Sequence, residues 1–147
     1  NYVSRIKSEV ITLYTDKIIN LHISMLPYNR GISPNLWSFV DNTPKGVTIH
    51  YVDETIDTGG IIAQREVFFD DSETLVSSYA KLHAEIQQLF IENWEHIKLC
   101  ECPVISPKYN VAGSYHNRRE TNALMERFGI LYSDRISTLR EILQCNI

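Results

Sequence analysis

The sequence predicts a single α/β domain, and three observations carry that prediction. Three short runs rich in β-branched residues, 18–23, 47–52 and 61–69, are bounded by turn residues in the manner of buried strands. Leu75, Tyr79, Leu82, Ile86, Leu89, Phe90, Trp94 and Ile97 recur at steps of three and four, the period of an amphipathic helix. The 147 residues contain no internal repeat and no linker-like stretch, which suits one core spanning 1–147.

Each element has its own local signal. Ile6, Val10, Ile11 and Leu13 stand at near-helical spacing and predict a short helix over 5–14. The first strand follows at 18–23. Ser33-Pro34 offers an N-cap and a first-turn proline, opening a helix through Leu36, Trp37, Phe39 and Val40. Thr43-Pro44-Lys45-Gly46 punctuates before the second strand, and Asp57-Thr58-Gly59-Gly60 turns the chain into the third. The long helix is predicted over 74–99, with Asp70, Asp71 and Glu73 placed ahead of its positive end. Residues 102–113, holding Pro103 and Pro107, read as irregular or briefly extended, and two short helices are expected over 120–128 and 134–143.

Composition narrows the function classes. Lys+Arg 14 against Asp+Glu 18 gives a net charge of −4, so the broad basic footprint of a nucleic-acid binder is absent. Cys100, Cys102 and Cys145 have neither disulfide-framework nor zinc spacing and read as incidental thiols. No apolar run approaches the ~20 residues that span a bilayer, and no charged-then-apolar leader is present, so a cytoplasmic setting is expected. The chain opens on Asn1 and its first methionine is Met25, as in a processed chain or a piece of a longer one.

Polar chemistry concentrates in two places. Alternation along the first strand puts Asn20, His22 and Ser24 on one face, with Leu21 and Ile23 turned into a core on the other. Buried polar groups need partners, since each unpaired one costs ~1–3 kcal/mol. The strand then enters the turn-rich loop Met25-Leu26-Pro27-Tyr28-Asn29-Arg30-Gly31, and α/β sites gather at such strand ends. Asn20 and His22 also read as a hydrogen-bonded core pair. The second cluster, residues 53–60, follows a strand and ends in two glycines; alone it reads as an acidic solvent loop.

Together the two clusters are more specific. Asn20-Leu21-His22-Ile23-Ser24-Met25-Leu26-Pro27, with Gly31, resembles the Asn-x-His-x-Ser-x-Leu-Pro signature of the N10-formyltetrahydrofolate-dependent formyltransferases. Gly46-Val47-Thr48-Ile49-His50 and Asp57-Thr58-Gly59, with Ile61 and Gln64, resemble that family's second signature, 35 residues separating His22 from Asp57. Residues 26–31, 34–38 and 43–51 resemble the nucleotide-sugar N-formyltransferases, which act on dTDP-linked amino-deoxy sugars. Gly113-Ser114-Tyr115-His116 faintly resembles a later segment of the same group.

The resemblance implies the carboxyl-terminal portion of a Rossmann-like formyltransferase fold, a mixed sheet with flanking helices. The amino-terminal folate-binding βα units of that fold are not in the chain. It implies Asn20, His22 and Asp57 as the reacting set for acyl transfer from the co-substrate N10-formyltetrahydrofolate to a sugar amine, with no metal. Asn20 and a protonated His22 would face the oxygen that gains charge, and Asp57 would favour the imidazolium and take the amine proton through a water. Ser24 and His50 are expected to orient these groups. Val3, Ile6 and Asp53 are the expected folate contacts, although Arg5 stands where an apolar residue is expected. Arg30 and Lys45 are candidates for a substrate phosphate, or are solvated. Tyr28 and Trp37 are candidates for stacking on a base or sugar, although the helical pattern also makes Trp37 a core residue. His83 and His96 read as surface or packing residues, and His116 receives no role.

The expected partner is a small nucleotide sugar, with neither nucleic acid nor membrane, and a homodimer is considered. Within the family, glycinamide ribonucleotide transformylase and methionyl-tRNA formyltransferase are the alternatives. From another class, the chain reads as a non-catalytic remnant, a folding or dimerisation module.

Overall fold

Val47, Ile49 and Tyr51 alternate with Thr48 and His50 along one central strand, and this alternation sorts core from site. In a computed structural model, which describes residues 5–102, 104–105 and 112–144, the elements in order are α1 (Ser8–Leu13), β1 (Ile19–His22), β2 (Arg30–Gly31), α2 (Pro34–Val40), β3 (Gly46–Tyr51), β4 (Ile61–Glu66), α3 (Leu75–Lys98), β5 (Tyr115–His116), α4 (Arg118–Phe128) and α5 (Ile136–Gln144). Every element predicted within these residues is present. The architecture is α/β, as expected.

The sheet has order β1-β3-β4 and is antiparallel throughout. Among the described residues parallel pairing occurs only in the separate two-residue pair β2–β5, so the expected mixed character is divided between two sheets. Val47, Ile49 and Tyr51 pack with Ile23, Ile62 and the α3 residues Leu82, Ile86 and Leu89 in the larger core. A second core joins Leu36 and Phe39 of α2 to Leu75, Ile136 and Leu139. The long helix rises from a capping box, Thr74 accepting from Ser77 N–H while Ser77 Oγ accepts from Thr74 N–H. Asn117 and Glu120 repeat that device at α4.

Three local expectations are corrected. Ser33 does not cap α2 with its side chain: its φ of 53° is left-handed and turns the chain out of β2, which carries the hydroxyl away from the free N–H groups. The third strand stops at Glu66, because beyond the Val67 N–H bond to Lys45 O the partner strand has ended, and Phe68 is exposed. Leu21 is 44% exposed rather than core, since the outer edge of β1 carries no strand among the described residues. Of the stretch 102–113, most lies outside the described residues; Ile105 forms an antiparallel bridge with Ile61.

Candidate active site

The register Asn20↔His50 and His22↔Thr48 places four polar residues on the sheet face opposite α3. A bulge between Ile49 and His50 shifts the β4 register there, so that Ile61 rather than Ile62 stands opposite His50. The loop after β1 closes over this face. Ser24 donates to Tyr28 O at 2.7 Å, and Thr48 Oγ1 donates to Ser24 O at 2.7 Å. Gln64 Nε2 donates to Leu26 O and to Thr48 Oγ1, both at 2.9 Å. The Leu26–Pro27 peptide is cis. Ser24 therefore holds the loop.

Asp57 is the centre of the cluster. Its Oδ2 lies 3.6 Å from His22 Nδ1 and its Oδ1 lies 3.6 Å from His50 Nε2. Oδ1 accepts from Asn20 Nδ2 at 3.1 Å, and Oδ2 accepts the Gly31 N–H at 2.9 Å. Asn20 Nδ2 also lies 3.3 Å from His50 Nε2, so both of its amide hydrogens have partners within the cluster. Asp57 itself adopts a left-handed φ of 54°, which the turn ahead of Gly59 imposes.

The imidazole tautomers follow from their partners. His22 Nε2 meets Asn29 O at 3.1 Å and His50 Nδ1 meets Tyr51 O at 2.7 Å. Carbonyl oxygens only accept, so these nitrogens carry the protons. In a neutral His22 ring Nδ1 is then a lone pair turned toward Asp57, while His50 Nε2 lies beside both Asp57 Oδ1 and Asn20 Nδ2. Burial pushes the His22 pKa below its ordinary value, outweighing the opposing pull of Asp57 and of the Asn29 carbonyl. The expectation of a resting imidazolium is thereby corrected to a neutral ring. Burial also works to raise the Asp57 pKa, yet hydrogen bonding to His50, the nearby His22 and the Gly31 N–H bring it down to about 2.

A cavity of about 820 Å³ opens onto this cluster, within the usual range for small-molecule sites. Asn20, His22, His50 and Asp57 line it, and so do Ile6 and Asp53 from the expected folate set. Val3 lies outside the described residues. Asp53 accepts from Thr58 Oγ1 at 2.7 Å and from Thr55 N–H at 3.0 Å, shaping the loop that carries Asp57. Arg5 donates to Glu54 O at 3.0 Å and so ties the segment before α1 to that loop.

The four expected substrate contacts stand elsewhere. Trp37 is 8% exposed, stacked on His116 at 3.7 Å and donating to Thr121 Oγ1 at 2.9 Å; it is a packing residue. Lys45 Nζ lies 5.4 Å above the Phe39 ring beside a separate hollow of about 340 Å³. Arg30 Nε donates to Ser114 O at 3.4 Å, and Tyr28 offers its carbonyl to Ser24; neither lines the cavity. His83, read as a surface or packing residue, lines the cavity with Tyr79, their rings 4.3 Å apart. His96 is exposed on α3. The early turns of α3 face β1, a placement that helical period alone does not reveal.

The chain is 38% identical over 82 residues to the dTDP-4-amino-4,6-dideoxyglucose formyltransferase of Mycobacterium tuberculosis, covering 56% of this chain and 35% of that protein. It is 39% identical over 83 residues to the phosphoribosylglycinamide formyltransferase of Bacillus subtilis, covering 56% of this chain and 43% of that one. The chain thus spans less than half the length of these relatives. Its structure is similar to that of the formyltransferase PseJ from Anoxybacillus kamchatkensis, solved with UDP-4,6-dideoxy-4-formamido-L-AltNAc and tetrahydrofolate. That likeness has a TM-score of 0.87 and 38% identity, over 94% of this chain and 72% of that one. Residues 1–93 match the formyl transferase family, and the chain belongs to that family.

Proposed function

We propose that this protein transfers a formyl group from N10-formyltetrahydrofolate to the amine of a nucleotide-linked amino-deoxy sugar. The observation that carries the reading is the Asp57 carboxylate, which lies 3.6 Å from a ring nitrogen of both His22 and His50 on the wall of an open cavity. A carboxylate and the bare His22 Nδ1 converging on one point suit an incoming amine. The likeness to PseJ over 94% of the chain supports a sugar nucleotide as acceptor, and the tetrahydrofolate in that structure supports the donor. Ile6, Asp53 and Ile56 line the cavity beside the reacting set, giving a partly apolar wall suited to a flat ring system.

In this reading the amine nitrogen bonds to the formyl carbon while the carbonyl electron pair moves to oxygen. His22 Nδ1, bare and adjacent to Asp57, takes the amine proton. The imidazolium that results then faces the new oxyanion beside the ionised Asp57. Asn20 releases one amide hydrogen from the cluster toward the same oxygen, a donor of a kind worth ~2.7–4 kcal/mol. Collapse of the tetrahedral species re-forms the carbonyl, breaks the bond to the tetrahydrofolate nitrogen and returns the proton to it. The products are the formamido sugar and tetrahydrofolate.

The same reading keeps the expected cytoplasmic setting. Among the described residues no helix is long and apolar enough to cross a membrane.

The test offers the full-length protein N10-formyltetrahydrofolate with dTDP- and UDP-linked amino-deoxy sugars, and separately with glycinamide ribonucleotide. Tetrahydrofolate release and the mass of the product are followed. Turnover is expected with a nucleotide sugar and not with glycinamide ribonucleotide. No turnover with any nucleotide sugar, or full turnover after Asp57→Ala, would sink the reading.

A further inference from the structure

Ser114 and His116 come from a segment far along the chain from His22, yet their contacts converge around Asn29, whose carbonyl meets His22 Nε2. His22 Nε2 donates to Asn29 O at 3.1 Å. The N–H of that same peptide belongs to Arg30 and donates to Ser114 O at 3.0 Å. The C=O and N–H of a trans peptide point in opposite directions, so holding the Arg30 N–H on β5 aims the Asn29 carbonyl back at His22. The parallel β2–β5 pairing, with Ile32 N–H on His116 O at 2.9 Å, continues this hold.

Asn29 is clamped from its other sides as well. It is 0% exposed and has a left-handed φ of 56°, a conformation that needs outside support in a non-glycine residue. Its N–H donates to Ser114 Oγ at 2.8 Å, and its Oδ1 accepts from Thr43 Oγ1 at 2.6 Å. Its Nδ2 donates to Asp41 Oδ2 at 3.1 Å, and the same oxygen lies 2.8 Å from His116 Nε2. The His116 ring lies parallel to Trp37, 4° between planes, and Trp37 is anchored on Thr121 of α4.

We propose that Ser114 and His116 are positioning residues for His22: by aiming the Asn29 carbonyl they hold His22 as the Nε2–H tautomer, with Nδ1 bare toward Asp57. The kinetic consequence rests on the proposed function; the tautomer does not. Without this support the carbonyl rotates away, and His22 is free to place its proton on Nδ1, where it cannot accept another.

The experiment pairs ¹⁵N-histidine NMR with kinetics on the full-length protein. Wild type should show His22 protonated at Nε2. His116→Phe keeps a ring for Trp37 but removes the donor to Asp41, and Ser114→Ala removes the acceptor for Asn29 N–H. Each should mix the His22 tautomers and lower kcat by about tenfold or more, with KM for both substrates within about twofold, as expected when a reacting group is misaligned. His116→Gln, which restores an N–H donor toward Asp41, should recover most of the kcat and the wild-type His22 signals. Nδ1–H at His22 in wild type, or unchanged His22 signals in either folded variant, overturns the inference. Should His116→Phe fail to fold, Ser114→Ala and the wild-type tautomer still decide it. A wild type without turnover would overturn the proposed function while the NMR result still judges this one.

Discussion

Asn20 donates its side-chain amide to Asp57 Oδ1 at 3.1 Å, so two residues of the proposed reacting set hold each other. The carboxylate is the acceptor for Asn20 and Gly31 and lies 3.6 Å from His22 Nδ1 and from His50 Nε2. Asp57→Asn removes the charge and sets an amide hydrogen toward some of these partners. We expect kcat/KM to fall by about 10²–10³, the range for loss of an electrostatic stabiliser, here of the imidazolium that His22 becomes. Single-turnover formylation measures it, and a loss of less than threefold would contradict the role.

Acid should destabilise the protein in two steps. The folded-state pKa of His22 lies below 6.5, so the unfolded chain binds the proton more readily. Its contribution is complete above pH 6.5 and is lost as the pH falls through the lower folded value. Asp57 moves from 3.8 to about 2, a contribution of roughly 2 kcal/mol that is present above pH 3.8 and lost toward pH 2. Urea midpoints at a series of pH values test this. The decline that begins below about pH 6.5 should shrink in His22→Gln.

Gly31 should tolerate no side chain. Its φ is +91°, and a Cβ there would stand 2.3 Å from His116 O. Gly31→Ala is expected to cost about 1–3 kcal/mol from backbone strain alone, more with the clash. The same change displaces the N–H that meets Asp57 Oδ2 at 2.9 Å, so activity should fall further than stability accounts for. Denaturation and kcat measured on one preparation separate the two effects.

Trp37 separates packing from substrate contact. Trp37→Phe keeps a ring against His116 but loses the N–H bond to Thr121, so a stability loss of about 1–2 kcal/mol is expected. Trp37 does not line the cavity, so KM for a nucleotide sugar should be unchanged. A several-fold rise in KM with stability intact would return Trp37 to the substrate site.

Local pattern carried a large share of this protein. The period of α3 and the β-branched runs are read within a few neighbouring residues, because backbone geometry alone decides which side chains share a face. The same alternation put Asn20 and His22 together on one face of β1, and the two signature blocks brought Asp57 to them. What periodicity cannot reach is the identity of a partner far along the chain. The Asn29 carbonyl, the Ser114 hold and the His116–Asp41 contact join residues up to 85 positions apart, and only packing of β2 against β5 brings them within reach. Burial, too, is a property of the assembled fold: it makes His22 neutral where adjacency to Asp57 suggested a cation, and it leaves Leu21 exposed where alternation suggested core. Sequence pattern alone marks Asn20, His22 and Asp57 as the candidate reacting set; only the closed fold sets their electrostatics, because desolvation and hydrogen-bond partners exist only once the chain has closed around them.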